Sequence, residues 1–340
     1  MEKKPQIAFL LYANRSGSTF LASGLANARN VGVTIEGTFF ARLVEKNTTI
    51  LEDADVDAVL RLLIADITFG DWNIDEARLR ELLMALPRSA NVEDVIRVIL
   101  QLYFDDDSLK YHIIKAPRLY FHVHRMRQLF SSPKFIHIVR DPRAVYASRL
   151  RSRVLRMNQS MANDPVAFAR GWRRHVSGLH MEQGADFLEI RYEDLIGDHE
   201  QTMARVCGFL ADPDLPAPVF KPVFSENRYY ERIPQNQKHL HKHVKVNVPV
   251  HDRVEGWRKE LDETDVHLLQ WITRREMKRL GYEPVSVAPS ARRWWRLVLR
   301  VCWWRVIATG YAVRRYAGYV CHPAYLKEAF FRNYYRYKRS

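Results

Sequence analysis

The chain has 340 residues, 47% hydrophobic and 27% charged, which excludes a disordered polymer and allows one large core or two smaller ones. Its formal charge of +14 is unevenly spread: residues 291–340 hold twelve Lys and Arg against one acid, Glu328, whereas residues 1–290 hold 41 against 38. An anionic partner is therefore expected of the tail, not of the body.

Residues 6–12 (QIAFLLY) read as a buried strand. Lys3 and Lys4 ahead of this run imitate a signal peptide, but seven apolar residues behind Pro5 and Gln6 are too few for one. No run of about 18 uncharged apolar residues follows anywhere, so no spanning helix is predicted. A helix is expected at 18–29, a short strand at 31–35, and helices from about 40 to 104, where apolar residues recur at i, i+3, i+4. Residues 111–117 and 134–142 read as strands stopped by Pro117 and Pro142. A helix follows at 143–156, a strand and turn at 187–195, and a helix at 198–211. Residues 212–256 have little periodicity and read as a long ordered loop or lid. The helix at 262–280 stops at Gly281, with Pro284 beyond it.

Strands that are apolar throughout, separated by helices, predict an α/β fold with a central parallel sheet flanked by helices. The expected division is a domain at 1–285 and a basic, aromatic extension at 286–340. In such sheets ligands sit at the carboxyl ends of the strands.

Arg15-Ser16-Gly17-Ser18-Thr19 stands at the first strand-to-helix junction, where backbone N–H groups and the helix dipole favour an anion. The loop lacks the Gly-Lys-Ser/Thr end of a nucleotide-triphosphatase loop, and no Asp-rich metal strand follows. It suits a dianion held without a metal. Arg140, at the end of a later strand, and Ser148, eight residues on, form a second anion loop, although Asp141 beside them also reads as a plain helix cap. Two anion loops on one sheet point to a ligand with two separate phosphate groups.

Together the two loops resemble the cofactor motifs of sulfotransferases that use 3′-phosphoadenosine 5′-phosphosulfate (PAPS). The likeness runs on through Arg191-Tyr192-Glu193-Asp194-Leu195 and Leu280-Gly281-Tyr282-Glu283-Pro284. It implies that PAPS is the sulfuryl donor, with residues 15–19 on the 5′-phosphosulfate and Arg140 and Ser148 on the 3′-phosphate. Asn14 and the Ser-Thr end of the first loop depart from the commonest pattern without removing a donor.

In-line sulfuryl transfer needs a base, a cation at the leaving oxygen and donors on the equatorial oxygens. Arg15 and the loop backbone suit the last two roles. Glu36, at the end of the second strand, is the expected base and resembles the glutamate of tyrosylprotein sulfotransferases. Lys115 ends another strand and reads equally as a catalytic cation or a solvated lysine. Tyr192 is expected on the adenine or the 3′-phosphate, or as a sheet-edge tyrosine. A histidine base is the alternative to Glu36, with His112 and His137 the in-sheet choices. His239, His241 and His243 lack zinc spacing and read as part of a basic lid with Lys242, Lys245 and Asn247; no metal is expected.

In the tail, Arg292, Arg293, Arg296 and Arg300 fall in one helical arc of about 100° beside paired tryptophans. Attachment to an anionic membrane surface, packing on the body or a second subunit, and nucleic-acid binding remain open, the last ranked lowest. Cys207, Cys302 and Cys321 have neither metal spacing nor a disulfide framework, which favours a reducing, cytoplasmic place, peripheral on the membrane face if the tail binds lipid. The acceptor is expected to be a hydroxyl of a glycan, a lipid or lipid-linked glycan, or a protein tyrosine. A kinase-like phosphotransferase and a non-catalytic binding protein acting through the tail are the alternatives.

Overall fold

The computed structural model of the chain describes residues 4–50, 52–152, 161, 164–219, 227–238 and 251–287, with eight further positions between 295 and 310. His239, His241, His243, Lys242, Lys245 and Asn247 lie outside the described residues.

Strand β1 (Gln6–Tyr12) is buried at every position. Its residues alternate between two apolar layers, so neither face meets water. Ile7, Phe9 and Leu11 join a core built from helices α2 (Phe39–Lys46), α3 (Asp53–Ile64), α4 (Glu76–Met84), α5 (Val92–Phe104) and α6 (Val123–Leu129). Ala8, Leu10 and Tyr12 join a second core with α1 (Ser18–Ala26), α9 (Tyr192–Gly197) and α10 (His199–Leu210).

The sheet is entirely parallel, in the order β2 (Val31–Val33), β3 (Tyr111–Lys115), β1, β4 (Lys134–Val139), β5 (Phe187–Arg191). The chain leaves β1 toward one edge, returns through β3, and crosses to β4 on the other side. The carboxyl ends of β1 and β4 therefore flank a topological switch point, where a crevice opens. Both expected anion loops leave from those two ends.

The boundaries shift in physically instructive ways. The expected strand at 134–142 ends at Val139, which frees Arg140 and Asp141 for the loop. Pro142 becomes the first residue of α7 (Pro142–Arg151), and the Asp141 side chain accepts from Arg143 N at 2.8 Å as its cap. Tyr192 is not a sheet-edge residue but opens α9. Residues 157–186 had no expected element, yet α8 (Pro165–His180) is a well-capped helix there. It packs with α7 and α15 (Glu263–Arg279) in a third apolar cluster around Trp172, Leu269 and Ile272. The long loop is in part helical: α11 (Arg228–Arg232), α12 (Gln235–Lys238) and α13 (Asp252–Glu255) interrupt it, and α14 (Trp257–Glu260) follows.

The two short runs shared with the sulfotransferase pattern are structural ties. Glu193 accepts from Asp141 N at 3.1 Å and from the Tyr282 hydroxyl at 2.8 Å, fastening the β4 loop to the stretch that follows Arg279.

Candidate active site

Helix α1 begins after Gly17 with no side-chain cap and no acid in its first turn. An uncapped N-terminus leaves its N–H groups and its positive dipole end for an anion. The loop before it is bent sharply: Arg15 has φ 77° and Gly17 φ 93°. The first is uncommon for a residue with a side chain and marks a constrained turn. At Gly17 a Cβ would stand 2.2 Å from Cδ2 of Tyr192, so glycine is required by both conformation and space.

A cavity of about 550 Å³ opens here, lined by Arg15, Gly17, Ser18 and Thr19 from the first loop and by Arg140, Ser148 and Tyr192. These seven expected residues thus come together. Arg15 Nε donates to Ser148 Oγ at 3.1 Å, and Arg140 Nη1 donates to the Arg15 carbonyl at 3.1 Å, so the two loops are in direct contact. The Arg140 guanidinium lies 4.3 Å over the Tyr192 ring. Ser16 is different: it is 1% exposed and its hydroxyl donates back to the Ala13 carbonyl, shaping the turn instead of lining the cavity.

Three further parts of the wall were not foreseen: Arg151, Arg253 and Trp257. Arg253 closes α13 over the cavity, and its carbonyl accepts from Arg140 Nη2. Trp257 stacks 4.1 Å from the Arg143 guanidinium, which in turn grips both oxygens of Asp141. The sequence signal was present in Arg253-Val-Glu-Gly256-Trp257, an arginine again placed before a glycine at a helix start.

Arginines outnumber acids in the wall: Asp252 and Glu260 line it too, and Arg151 is paired with Glu260. Burial, and then the Arg140, Arg253 and Arg151 cations, push the Arg15 guanidinium below its ordinary value. Burial does the same to Arg140, and Arg253 adds to it. Arg140 Nε is buried with no hydrogen-bond partner among the described residues. Arg15, Arg140 and Arg253 converge with a donor left over, beside the Arg151–Glu260 pair, and form a cradle that a polyanion would relieve.

Glu36 and Lys115 stand beside this cradle. The strand β2 is short, but its path continues along β3: Thr34 N donates to the Ile113 carbonyl at 3.0 Å and Gly37 N to the Lys115 carbonyl at 3.3 Å. Lys115 N donates to Thr34 Oγ1 at 2.9 Å, and Thr38 N donates to Thr68 Oγ1 at 2.9 Å. Glu36 is thereby held at the carboxyl end of the sheet. Lys115 Nζ reaches its Oε2 at 3.4 Å and Thr19 Oγ1 at 3.3 Å. Thr19 thus belongs to both halves of the site.

Lys115 is buried between the rings of Tyr12 and Tyr229, whose centroids lie 5.6 and 5.8 Å from Nζ. Burial pulls its pKa down, but Tyr229 and Glu36 outweigh that and the net direction is up, so it stays cationic. Burial, then Glu36 and Tyr229, hold the Tyr12 phenol well above its ordinary value and hence neutral. Tyr229 comes from α11, in the segment expected to be a lid, and was not anticipated.

Neither in-sheet histidine faces the site. His112 pairs in register with Ile7, near the amino end of the sheet, and packs 4.8 Å from the Phe104 ring centroid. His137 is enclosed against Glu189 and His175, at 3.2 and 3.1 Å.

The switch-point crevice, the bare α1 terminus and the arginine cradle define an α/β protein with a cavity suited to an anion. The model of the Sulfotransferase family matches residues 8–217, and the chain belongs to that family. It is 31% identical over 138 residues to omega-hydroxy-beta-dihydromenaquinone-9 sulfotransferase Stf3 of Mycobacterium bovis and of Mycobacterium tuberculosis; the match covers 37% of this chain and 35% of theirs. The chain thus spans about a third of the length of the curated relatives it matches. Among solved structures, the sulfotransferase domain from the curacin biosynthetic pathway aligns with TM-score 0.53 and 20% identity, over 84% of this chain and all of that one. The sulfotransferase domain of the Synechococcus PCC 7002 olefin synthase aligns with TM-score 0.51 and 21% identity, over 83% and 97%. At that identity they show the shared fold.

Proposed function

We propose that the chain transfers a sulfuryl group from PAPS to an acceptor hydroxyl, with Glu36 as general base. One observation carries this reading: Arg15, Arg140, Arg151 and Arg253 converge on a single cavity that meets the Glu36–Lys115 pair through Thr19. The donor set fits PAPS, which has two separated phosphate positions. When bound, it supplies the sulfuryl group and the nucleotide that leaves.

In this reading the α1 terminus and Arg15 hold the 5′ end, and Arg140, Arg253 and Ser148 hold the 3′-phosphate. Tyr192 and Trp257 give the cavity its aromatic walls. The Glu36 carboxylate takes the acceptor proton, a role worth about 10²–10⁴ in rate. Its side chain is 44% exposed, so a hydroxyl arriving from solvent can reach it. Lys115 stays charged and faces the developing negative charge, while Thr19 orients its ammonium group. No lysine lies in the first loop, which argues against the kinase-like alternative.

For the acceptor we take an apolar alcohol. Ile67 is 68% exposed, next to the Thr68 hydroxyl that anchors Thr38, two residues from Glu36. Phe121, in the turn that follows β3, is 59% exposed. The name of the Stf3 relatives points the same way, since it denotes a hydroxylated menaquinone, a lipid alcohol. The test is transfer of labelled sulfate from PAPS to a panel of apolar alcohols, sugars and tyrosine peptides. Preference for the apolar alcohols supports the reading, and transfer to sugars or peptides alone contradicts it.

A further inference from the structure

All eight described positions between 295 and 310 are helical. Trp295, Leu299, Trp303 and Val306 among them are exposed by 63–65%. At 3.6 residues per turn these four fall within one arc of about 80°. Cys302 lies about 20° beyond the edge of that arc and is exposed too. A helix that offers an apolar stripe of this composition to water normally covers it with something.

The charge of the segment selects the cover. Residues 291–340 hold twelve Lys and Arg against Glu328 alone, while the rest of the chain is nearly balanced. A second copy of the same segment would bring like charges together, which disfavours self-association. A nucleic acid would use arginine and stacked rings but would leave Leu299 and Val306 without a role. An anionic bilayer surface uses both features: tryptophan rings sit at headgroup depth, aliphatic side chains enter the acyl boundary, and basic residues meet the lipid charge.

We propose that the segment beginning near Trp295 docks in the plane of an anionic phospholipid surface, with Trp295, Leu299, Trp303 and Val306 inserted. This goes beyond the catalytic reading and does not depend on it. It would bring the Glu36 site to where an apolar alcohol is concentrated.

The test is flotation of the full chain with phosphatidylcholine vesicles made with or without phosphatidylglycerol, at low and high salt. The wild type should float with the anionic vesicles at low salt and at least about tenfold less with the neutral ones or at high salt. The triple variant Leu299→Ser, Trp303→Ser, Val306→Ser should lose flotation by a similar factor while keeping the circular-dichroism spectrum and thermal midpoint of the wild type, which shows that it is folded. Arg15→Ala should float normally, so failure of the catalytic site leaves this result untouched. Undiminished flotation of the triple variant would overturn the proposal, as would a wild type that stays with solvent. Release from anionic vesicles by single-stranded RNA, with tight RNA binding that the triple variant retains, would also overturn it.

Discussion

Lys115 Nζ stands 3.4 Å from Glu36 Oε2, yet 4% of the lysine side chain and 44% of the glutamate side chain is exposed. The pair is therefore asymmetric. A buried cation is fixed by its carboxylate partner and by Thr19, and the carboxylate stays open to solvent. Replacing the base should remove proton abstraction without disturbing the nucleotide cradle. Glu36→Gln is expected to lower single-turnover transfer by about 10²–10⁴ and to leave affinity for 3′-phosphoadenosine 5′-phosphate unchanged. Transfer within a factor of about two of the wild type would remove Glu36 from that role.

Gly17 and Tyr192 make a second prediction, because a Cβ at residue 17 would stand 2.2 Å from the tyrosine ring where φ is 93°. Gly17→Ala should cost on the order of 1–3 kcal/mol in loop strain and weaken the nucleotide accordingly. Adding Tyr192→Ala relieves the clash but not the backbone strain, so the double variant should recover only part of the affinity. Calorimetric titration of both variants checks this. Full affinity in Gly17→Ala would mean that the loop is not held as described.

Arg253 separates the cradle from the loops that carry the sequence pattern. Arg253→Ala removes one guanidinium from the cavity and should weaken 3′-phosphoadenosine 5′-phosphate by about 10- to 100-fold. Arg140→Ala should do at least as much and should spare ADP, which lacks the 3′-phosphate. Equal losses for both ligands on Arg140→Ala would show that Arg140 does not face the 3′ position.

The alternative base His137 turns out to be part of a stability device. It lies between Glu189 and His175, and Arg279 Nη1 donates to the far side of Glu189 at 2.6 Å. Burial pushes both histidines below their ordinary value, His175 well below. Glu189 is lowered to about 2: burial acts upward, and His137 and Arg279 overcome it. The unfolded chain therefore binds more protons than the folded one on the acid side. The histidine contribution is full above about pH 6.5 and is lost as pH falls below that value. The glutamate contribution follows, lost as pH falls from the ordinary carboxylate range through about 2. Thermal midpoints should thus fall on acidification, and His175→Gln should flatten the first part of that descent. An unchanged slope in the variant would contradict the assignment.

Much of this was legible in the chain itself. The continuous apolar run of β1 and the apolar run ahead of Arg140 marked the two strands whose ends form the crevice, because strand ends and glycine–arginine loops are local features. Glu36 and Lys115 were visible as polar residues closing apolar runs, although their 3.4 Å approach required the pairing of β2 with β3. Helix α8 was missed despite Asp164-Pro165 at its start and Ala169, Trp172, Val176 and Leu179 at helical spacing; charged residues between these positions diluted the pattern. Tyr229 had no such cue, and the one beside Arg253, an arginine ahead of Gly256, carries little weight by itself. Both sit on helices of four or five residues within an aperiodic stretch, and only long-range packing brings them to the site.

The most direct test of the central claim is calorimetric titration of the full chain with 3′-phosphoadenosine 5′-phosphate, with ADP and ATP as controls. Tight binding of the 3′-phosphorylated nucleotide, with ADP weaker by at least about tenfold, is the predicted result. ATP binding as tightly or more tightly would contradict the account, since it would mean that the arginine cradle is not built for a 3′-phosphate.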